Sequence, residues 1–459
     1  MNDELKIKNN ELGGKMNYRY RTDEEMKDSG VEWIGKIPKE WNITRVKYAL
    51  RKKITDGPHE TPQFISEGIP FLSVDAIQDG KLIFDNCRYI SEEDHNRYIK
   101  KCKPEKNDVL MGKAASTGKI ARIDKDIEFS IWSPLALLKP DTNIIKPKYL
   151  EYSMKSNQTQ YEIELLCTNN TQKNISMDDI VDIKIIMPDI KKQKKIVDFL
   201  QQKTAQFDSI ISKKEALIEK LEEAKKSLIS EVVTGKVKVV KTNDGYELVE
   251  RKKEEMKDSG VEWLGLVPKG WKIIKLKYLA TLMNKKVKSN SVDKYIGLEN
   301  VESKTGFIIS YTDPEKVESD LSTYFDRNMV LFGKLRPYLA KCVVTETSGI
   351  CSDEFLVLRT LRLSPNILKY IMLNSEFIDL VNSSTYGAKM PRANWDFISN
   401  IKVPFFSADE QTIIEEFIIY KCNSIDKIIN IKKQQIEKLK EAKQSLISEA
   451  VTGKIEILD

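Results

Sequence analysis

Met26-Lys-Asp-Ser-Gly-Val-Glu-Trp-Ile-Gly-Lys-Ile-Pro-Lys-Glu-Trp41 returns as Met256-Lys-Asp-Ser-Gly-Val-Glu-Trp-Leu-Gly-Leu-Val-Pro-Lys-Gly-Trp271. A second stretch, Ile218-Glu-Lys-Leu-Glu-Glu-Ala-Lys-Lys-Ser-Leu-Ile-Ser-Glu-Val-Val-Thr-Gly-Lys236, returns as Ile436-Glu-Lys-Leu-Lys-Glu-Ala-Lys-Gln-Ser-Leu-Ile-Ser-Glu-Ala-Val-Thr-Gly-Lys454. The chain is one large unit written twice, with a repeat far longer than the roughly 20–50 residues of a solenoid. Such a duplication predicts a pseudo-two-fold molecule able to address two similar things.

The two blocks do not keep the same step. Met26 to Met256 is 230 residues and Ile218 to Ile436 is 218, and Pro147, Leu150, Tyr152 and Met154 already recur in the shorter frame as Pro365, Leu368, Tyr370 and Met372. The first copy therefore carries extra residues between about 50 and 147. In that window Val109-Leu-Met-Gly-Lys113 echoes Val330-Leu-Phe-Gly-Lys334, while the sequence on either side diverges. Each copy has a shared frame around a variable interior.

The interiors read as short β-branched strands between turn residues: Lys81–Phe84, Lys119–Ile123, Gly306–Ser310 and Cys342–Thr345. A helix of one to two dozen residues is expected from Pro147 and from Pro365, both suited to a first helical position. A polar loop and a short strand ending at Pro188 or Pro404 follow. The period then changes: Leu200, Phe207, Ile211, Ile218, Leu221, Leu228 and Val232 recur at helical spacing, as do Ile418, Ile425, Ile429, Ile436, Leu439, Leu446 and Ala450. Both stripes stop at Thr-Gly-Lys, a glycine helix end. Helices of about forty residues would reach ~60 Å, and each stripe must be buried, most simply on its own copy. The expected fold class is α+β: two mixed α/β globules separated by two long helices that form an antiparallel intramolecular coiled coil, with a globule at each end.

Composition narrows the function. In 459 residues the formal charge is only +6, which permits nucleic-acid binding without demanding it. The six cysteines are dispersed without a C-x-x-C pair and His59 and His95 are the only histidines, so no zinc site is expected. There is no signal-peptide pattern and no apolar run near the ~18 residues of a membrane span, which predicts a soluble, cytoplasmic protein. No G-x-G-x-x-G and no Asn-Pro-Pro-Tyr occurs. The chain is expected to be no enzyme and to hold no metal.

Two similar globules on a rigid helical pair would measure a distance, and duplex DNA, whose half-sites recur every ~34–36 Å, is a natural object. The Gly-Val-Glu-Trp-[Ile/Leu]-Gly-x-[Ile/Val]-Pro opening, the Ser-Leu-Ile-Ser-Glu-x-Val-Thr-Gly-Lys close and Thr55-Asp-Gly-Pro-His-Glu-Thr-Pro62 resemble the DNA specificity (S) subunits of type I restriction-modification systems. That resemblance implies target recognition domains at 26–190 and 256–406, spacer helices at 191–236 and 407–454, a linker at 237–255 and a tail at 455–459; the polar extension at 1–25, expected to be flexible, departs from it. It further implies an asymmetric bipartite site in double-stranded DNA, with the helices setting its gap. The partners would be two methyltransferase (M) subunits and restriction (R) subunits; S-adenosylmethionine, ATP and Mg would sit on them, with no cofactor on this chain. A recognition subunit of a methylation-only or other phage-defence system is the alternative. An adaptor without DNA binding would leave the divergence of the interiors unexplained.

Candidate DNA contacts follow from residue chemistry. In the loops 112–119 and 333–341, Lys113, Lys119, Lys334, Arg336 and Lys341 could neutralise phosphates. Ser116, Thr117, Arg336 and Tyr338 carry donors for DNA. The first loop is not a Walker A loop, because five residues separate its glycines and Ile120 stands where Ser or Thr should be. Thr171, Gln172, Lys173 and Asn174, and Tyr386, Lys389 and Arg392, form the loop before each last strand; Asn and Gln suit adenine and Arg suits guanine. His59 and Thr61 complete the set. For each loop the alternative is a solvated surface turn. Trp33, Trp41, Trp263 and Trp271 are expected in the core or at a subunit interface, and the repeated Ser-Leu-Ile-Ser-Glu as a docking surface for the methyltransferase.

Overall fold

The computed structural model describes residues 18–167, 173–288, 294–314, 321–385 and 390–458. Its helices are α1 (Glu92–Tyr98), α2 (Pro147–Lys155), α3 (Asn157–Leu166), α4 (Met177–Asp182), α5 (Ile190–Val233), α6 (Pro365–Met372), α7 (Ser375–Ser383), α8 (Trp395–Asn400) and α9 (Ala408–Val451). The chain divides into two compact units, Met1–Lys214 with Lys433–Asp459, and Glu215–Lys432. Each unit thus holds one globule and a part of each long helix.

In the first unit the central antiparallel sheet runs Ile120–Arg122, Val109–Gly112, Leu135–Leu138, Thr55–Asp56. Every residue of Val109–Gly112 and Leu135–Leu138 is buried, because side chains of both parities are covered and the alternation of a half-wet strand is lost. A second sheet pairs Ile69–Leu72 with Ser130–Ile131 in parallel and with Arg88–Ile90 antiparallel. Asn42–Arg45, just after the opening block, pairs with Lys184–Met187, just before α5, and so ties the globule's two ends together.

The second unit repeats this plan. Its central sheet runs Cys342–Val344, Val330–Gly333, Phe355–Thr360, Ala280–Met283, and Val330 faces Leu358 as Val109 faces Leu138. Lys272–Lys275 pairs with Lys402–Phe405 as its counterpart does. Two expectations need correction. Gly306–Ser310 forms no strand and has only the bridge Val301–Ile308, with Phe307 and Ile309 exposed. The single helix expected after each proline is two: Pro147 and Pro365 do start α2 and α6, but Ser156 and Asn374 then cap α3 and α7 through their side chains. A capping side chain ends one helix by starting another.

Helices α5 and α9 are 44 residues each, a rise of about 66 Å. In the first unit Lys443 bonds Asp208 at 2.5 Å and Lys214 bonds Gln435 at 2.8 Å; in the second, Lys225 bonds Asp426 at 2.7 Å. In the first unit one number climbs as the other falls, so the pair is antiparallel there. Leu200, Phe207, Ile211, Ile429, Ile436, Leu439 and Leu446 of the stripes are buried.

The two repeated blocks meet each other crosswise. Gly453, at φ 71°, ends α9 so close to the opening block that a Cβ there would lie 2.4 Å from Pro38 and 2.8 Å from Trp41. Gly235, at φ 77°, ends α5 against Pro268 and Trp271 of the other copy, at 2.5 and 2.9 Å. Trp41, Trp263 and Trp271 are accordingly buried. The linker is a hairpin, Val237–Thr242 with Gly245–Glu250, in which Val237 faces Glu250. The same register joins Tyr18–Tyr20 to Ile455–Ile457, with Ile455 facing Tyr20, so residues 18–20 of the expected flexible extension are part of a sheet.

Part of each Ser-Leu-Ile-Ser-Glu packs inside its own unit. Leu446, Ile447 and Ser448 are buried, and the Ser448 hydroxyl accepts from the Asn157 N–H at 2.9 Å. Ser230 accepts from the Asn374 amide at 2.7 Å, and Leu228 and Ile229 pack on the second core. Those buried residues of the motif seat α3 and α7.

Candidate nucleic-acid interface

Gly112 ends a central strand of the first unit, and the chain turns back at once. Gly112 N–H donates to Lys119 O at 2.8 Å and Gly118 N–H to Gly112 O at 2.9 Å. Ala115 (φ 63°) and Gly118 (φ 87°) take left-handed backbone to make the turn. The loop before the last strand lies against it. Asn174 forms a bridge with Ala114, Ile175 N–H donates to Lys113 O at 3.0 Å and the Thr117 hydroxyl to Lys173 O at 2.8 Å. Two loops that the sequence separates by more than fifty residues form one surface. Lys119, Lys173 and Asn174 are exposed on it, and Ser116 and Thr117 half-buried. Thr171 and Gln172 lie outside the described residues.

The second unit builds the same junction. Gly333 N–H donates to Lys341 O, Ala393 N–H to Lys334 O and Arg336 N–H to Pro391 O, each at 2.8 Å, and Leu335 bridges Arg392. Left-handed backbone recurs at Arg336 (φ 51°) and Ala340 (φ 47°). Arg336, Tyr338 and Arg392 are exposed and Lys334 half-buried; Tyr386 and Lys389 lie outside the described residues. In matched positions Ala115 corresponds to Arg336, and Asn174 to Arg392.

Two of the expected phosphate ligands are turned inward. Lys341 Nζ donates to Leu298 O at 2.6 Å. Lys113 Nζ donates to Asp56 Oδ2 at 2.8 Å, and the same carboxylate takes Lys101 at 2.7 Å and lies 3.0 Å from His59 Nε2. Burial pushes the Asp56 carboxyl up, but the hydrogen bonds and charges of Lys101 and Lys113 outweigh it and hold the group below the usual carboxylate range. In the second unit Met283 faces Val357 as Thr55 faces Leu137, so the position matched to Asp56 carries Asn284. His59 is mostly exposed above this cluster, and Thr61 is exposed. Gly57 has no room for a side chain, since a Cβ would fall 1.7 Å from Ile131 O. That contact holds the His59 segment beside the strand end that leads to Lys113 N–H···O Pro134.

Sequence reasoning missed Asp56, Glu354 and an aromatic–arginine cluster. Glu354 accepts from Arg392 Nε at 3.2 Å and from Nη2 at 2.7 Å. Arg88 lies 5.1 Å from the Phe64 ring centre and 5.5 Å from that of Trp132. Trp132 precedes Ser133, whose N–H donates to Pro58 O at 3.2 Å. The Thr55–Pro62 motif pointed at this region, but no local signal names Arg88 or Glu354.

All six cysteines are free thiols, and burial pushes those of Cys342 and Cys351 up to about 12. Among the described residues no group of three His, Cys, Asp or Glu side chains could hold a metal ion, and no helix is long and apolar enough to cross a membrane.

Residues 60–221 match the model of the type I restriction modification DNA specificity domain. The chain is 24% identical over 445 residues to the putative type I restriction enzyme MjaX specificity subunit of Methanocaldococcus jannaschii, covering 92% of this chain and 96% of that protein. It is 22% identical over 450 residues to the MjaVIII specificity subunit of the same organism, covering 92% and 94%. A solved structure from work on complex assembly and conformational transition of the type I R-M system has the same fold, with a TM-score of 0.62 at 12% identity over 91% of this chain and 99% of that one.

Proposed function

We propose that this chain, a specificity subunit of the type I restriction-modification family, is the sequence-specific double-stranded DNA-binding subunit of such a complex. Each unit reads one half of an asymmetric bipartite site, and the paired helices set the gap. The chain is non-catalytic: two methyltransferase subunits would supply S-adenosylmethionine-dependent methylation of adenine, and restriction subunits the ATP- and Mg-dependent cutting.

One observation carries this reading. In each unit the two candidate loops are joined by matching backbone hydrogen bonds into a single exposed surface, and the side chains displayed there differ between units. An identical scaffold with different exposed donors is what two readers of different half-sites require.

The test is footprinting of the full chain with its methyltransferase subunits on duplexes selected from a random pool. Two short protected blocks separated by an unspecified gap are expected, with affinity falling steeply as salt rises. A single continuous block, or binding without sequence preference, would overturn the proposal.

A further inference from the structure

The two junctions differ most informatively at one position. Where the later loop bridges the earlier one, the first unit carries Asn174 opposite Ala114 and the second Arg392 opposite Leu335. Both residues are exposed. Both are fixed from behind by the next residue, whose N–H donates to the lysine carbonyl of the facing loop, Ile175 to Lys113 and Ala393 to Lys334. The backbones therefore present two different side chains from the same place.

The Arg392 guanidinium is also aimed. Glu354 takes Nε and Nη2, the side edge of the fork, at 3.2 and 2.7 Å. Five donors sit on a guanidinium, so Nη1 and the second Nη2 hydrogen remain, and they form the end edge. That edge is the one that matches O6 and N7 of a guanine in the major groove. Glu354 is itself held, its carbonyl accepting from Lys334 N–H at 2.8 Å and its own N–H donating to Ser352 Oγ at 3.2 Å. The matched position in the first unit, where Pro134 O accepts from Lys113 N–H, carries no acid. A carboxamide at the same point, Asn174, carries a donor and an acceptor on a short stem, a pair suited to N6 and N7 of adenine.

We infer that the bridge position is a base-reading point in both units, with Asn174 taking an adenine in one half-site and Arg392 a guanine in the other, and with Glu354 as the positioning residue for Arg392. This rests on the DNA-reading function proposed above.

The experiment is selection from a pool of random duplexes by the full chain with its methyltransferase subunits, comparing wild type, N174A, R392A, R392K and E354Q. Wild type should show an invariant adenine in one block and an invariant guanine in the other. R392A should flatten the guanine column alone, with a loss of discrimination of about 5- to 150-fold, and N174A the adenine column alone. R392K keeps the charge but not the fork, so it should flatten the same column while the slope of affinity against salt stays unchanged. E354Q should flatten that column in part and leave the other block untouched. Uniform weakening on every sequence by R392A and R392K, or an unchanged guanine column in E354Q, would overturn the inference while leaving the DNA-reading function standing. Absence of any selected sequence in wild type would overturn both.

Discussion

Replacing Asp56 by Asn removes the charge that Lys101 and Lys113 share and that His59 lies beside. The Asp56 side chain is 8% exposed and that of Lys113 14%, whereas Lys101 and His59 are 58% and 70% exposed. Lys101 and His59 can return to water, and pairs of that kind contribute about 0–1 kcal/mol each. Lys113 cannot do so freely. Breaking a buried pair from one side costs ~3–5 kcal/mol; with partial access to water for the Lys113 stem, a loss of about 2–4 kcal/mol in the first unit is expected. Because the chain has two units, a single unfolding free energy is ill-defined, so native-state hydrogen exchange is the suitable assay. Amides of Val109–Gly112 and Leu135–Leu138 should exchange about 30- to 1000-fold faster in D56N, the same energies expressed as ratios. Val330–Gly333, in the unit whose matched position is Asn284, supplies the internal control. The pH dependence has a definite sign. The folded carboxyl is depressed, so its stabilisation is complete above the unfolded value near ~3.9 and disappears as pH falls through the lower folded value. The gap between wild type and D56N should therefore be full at pH 6 and close only below about 4. Freed from its partner, Lys113 should also raise the slope of DNA affinity against salt by about one. Equal exchange in both proteins at pH 6 would refute the hub argument.

Arg336 occupies left-handed backbone that costs a non-glycine residue about 1–2 kcal/mol. R336G should thus leave thermal stability unchanged or raised while weakening DNA binding; a drop in melting temperature would show that the side chain serves packing. G453A and G235A should each cost more than 2 kcal/mol, combining left-handed strain with a clash against Pro38 or Pro268. Exchange should localise each effect to the unit that contains the glycine, and a loss under about 0.5 kcal/mol would contradict the crosswise packing. Deleting seven residues from each long helix at facing positions around Lys214 and Gln435 removes about 10.5 Å of rise, or roughly three base pairs at 3.4 Å each. The footprint gap should shorten by that amount with both half-sites unchanged; an unchanged gap would count against the helices as its ruler.

Much of the architecture was legible because its signals are local. The helical stripes from Leu200 and Ile418, the prolines at 147 and 365 and the glycines at 235 and 453 act through neighbouring backbone, and each marked a true element or its end. Gly306–Ser310 differs for the complementary reason: a β-branched run makes a strand only if an edge is available, and among the described residues its bridge is Val301–Ile308 alone. Ser156 and Asn374 were unread caps inside an apolar pattern that looked continuous.

The two copies, the long helices beside two mixed globules, and the loops that differ can all be read along the chain. Those are properties of period, identity and divergence along the chain. Folding settles what meets what. It seats each closing block on the other copy's opening block, and joins the two candidate loops of each unit into one surface. It also ties Lys113 to Asp56 across 57 residues and sets Arg392 on Glu354 across 38. Such pairings turn on distances of about 3 Å between atoms far apart in the chain, and no residue carries a local mark of the partner that folding will bring to it.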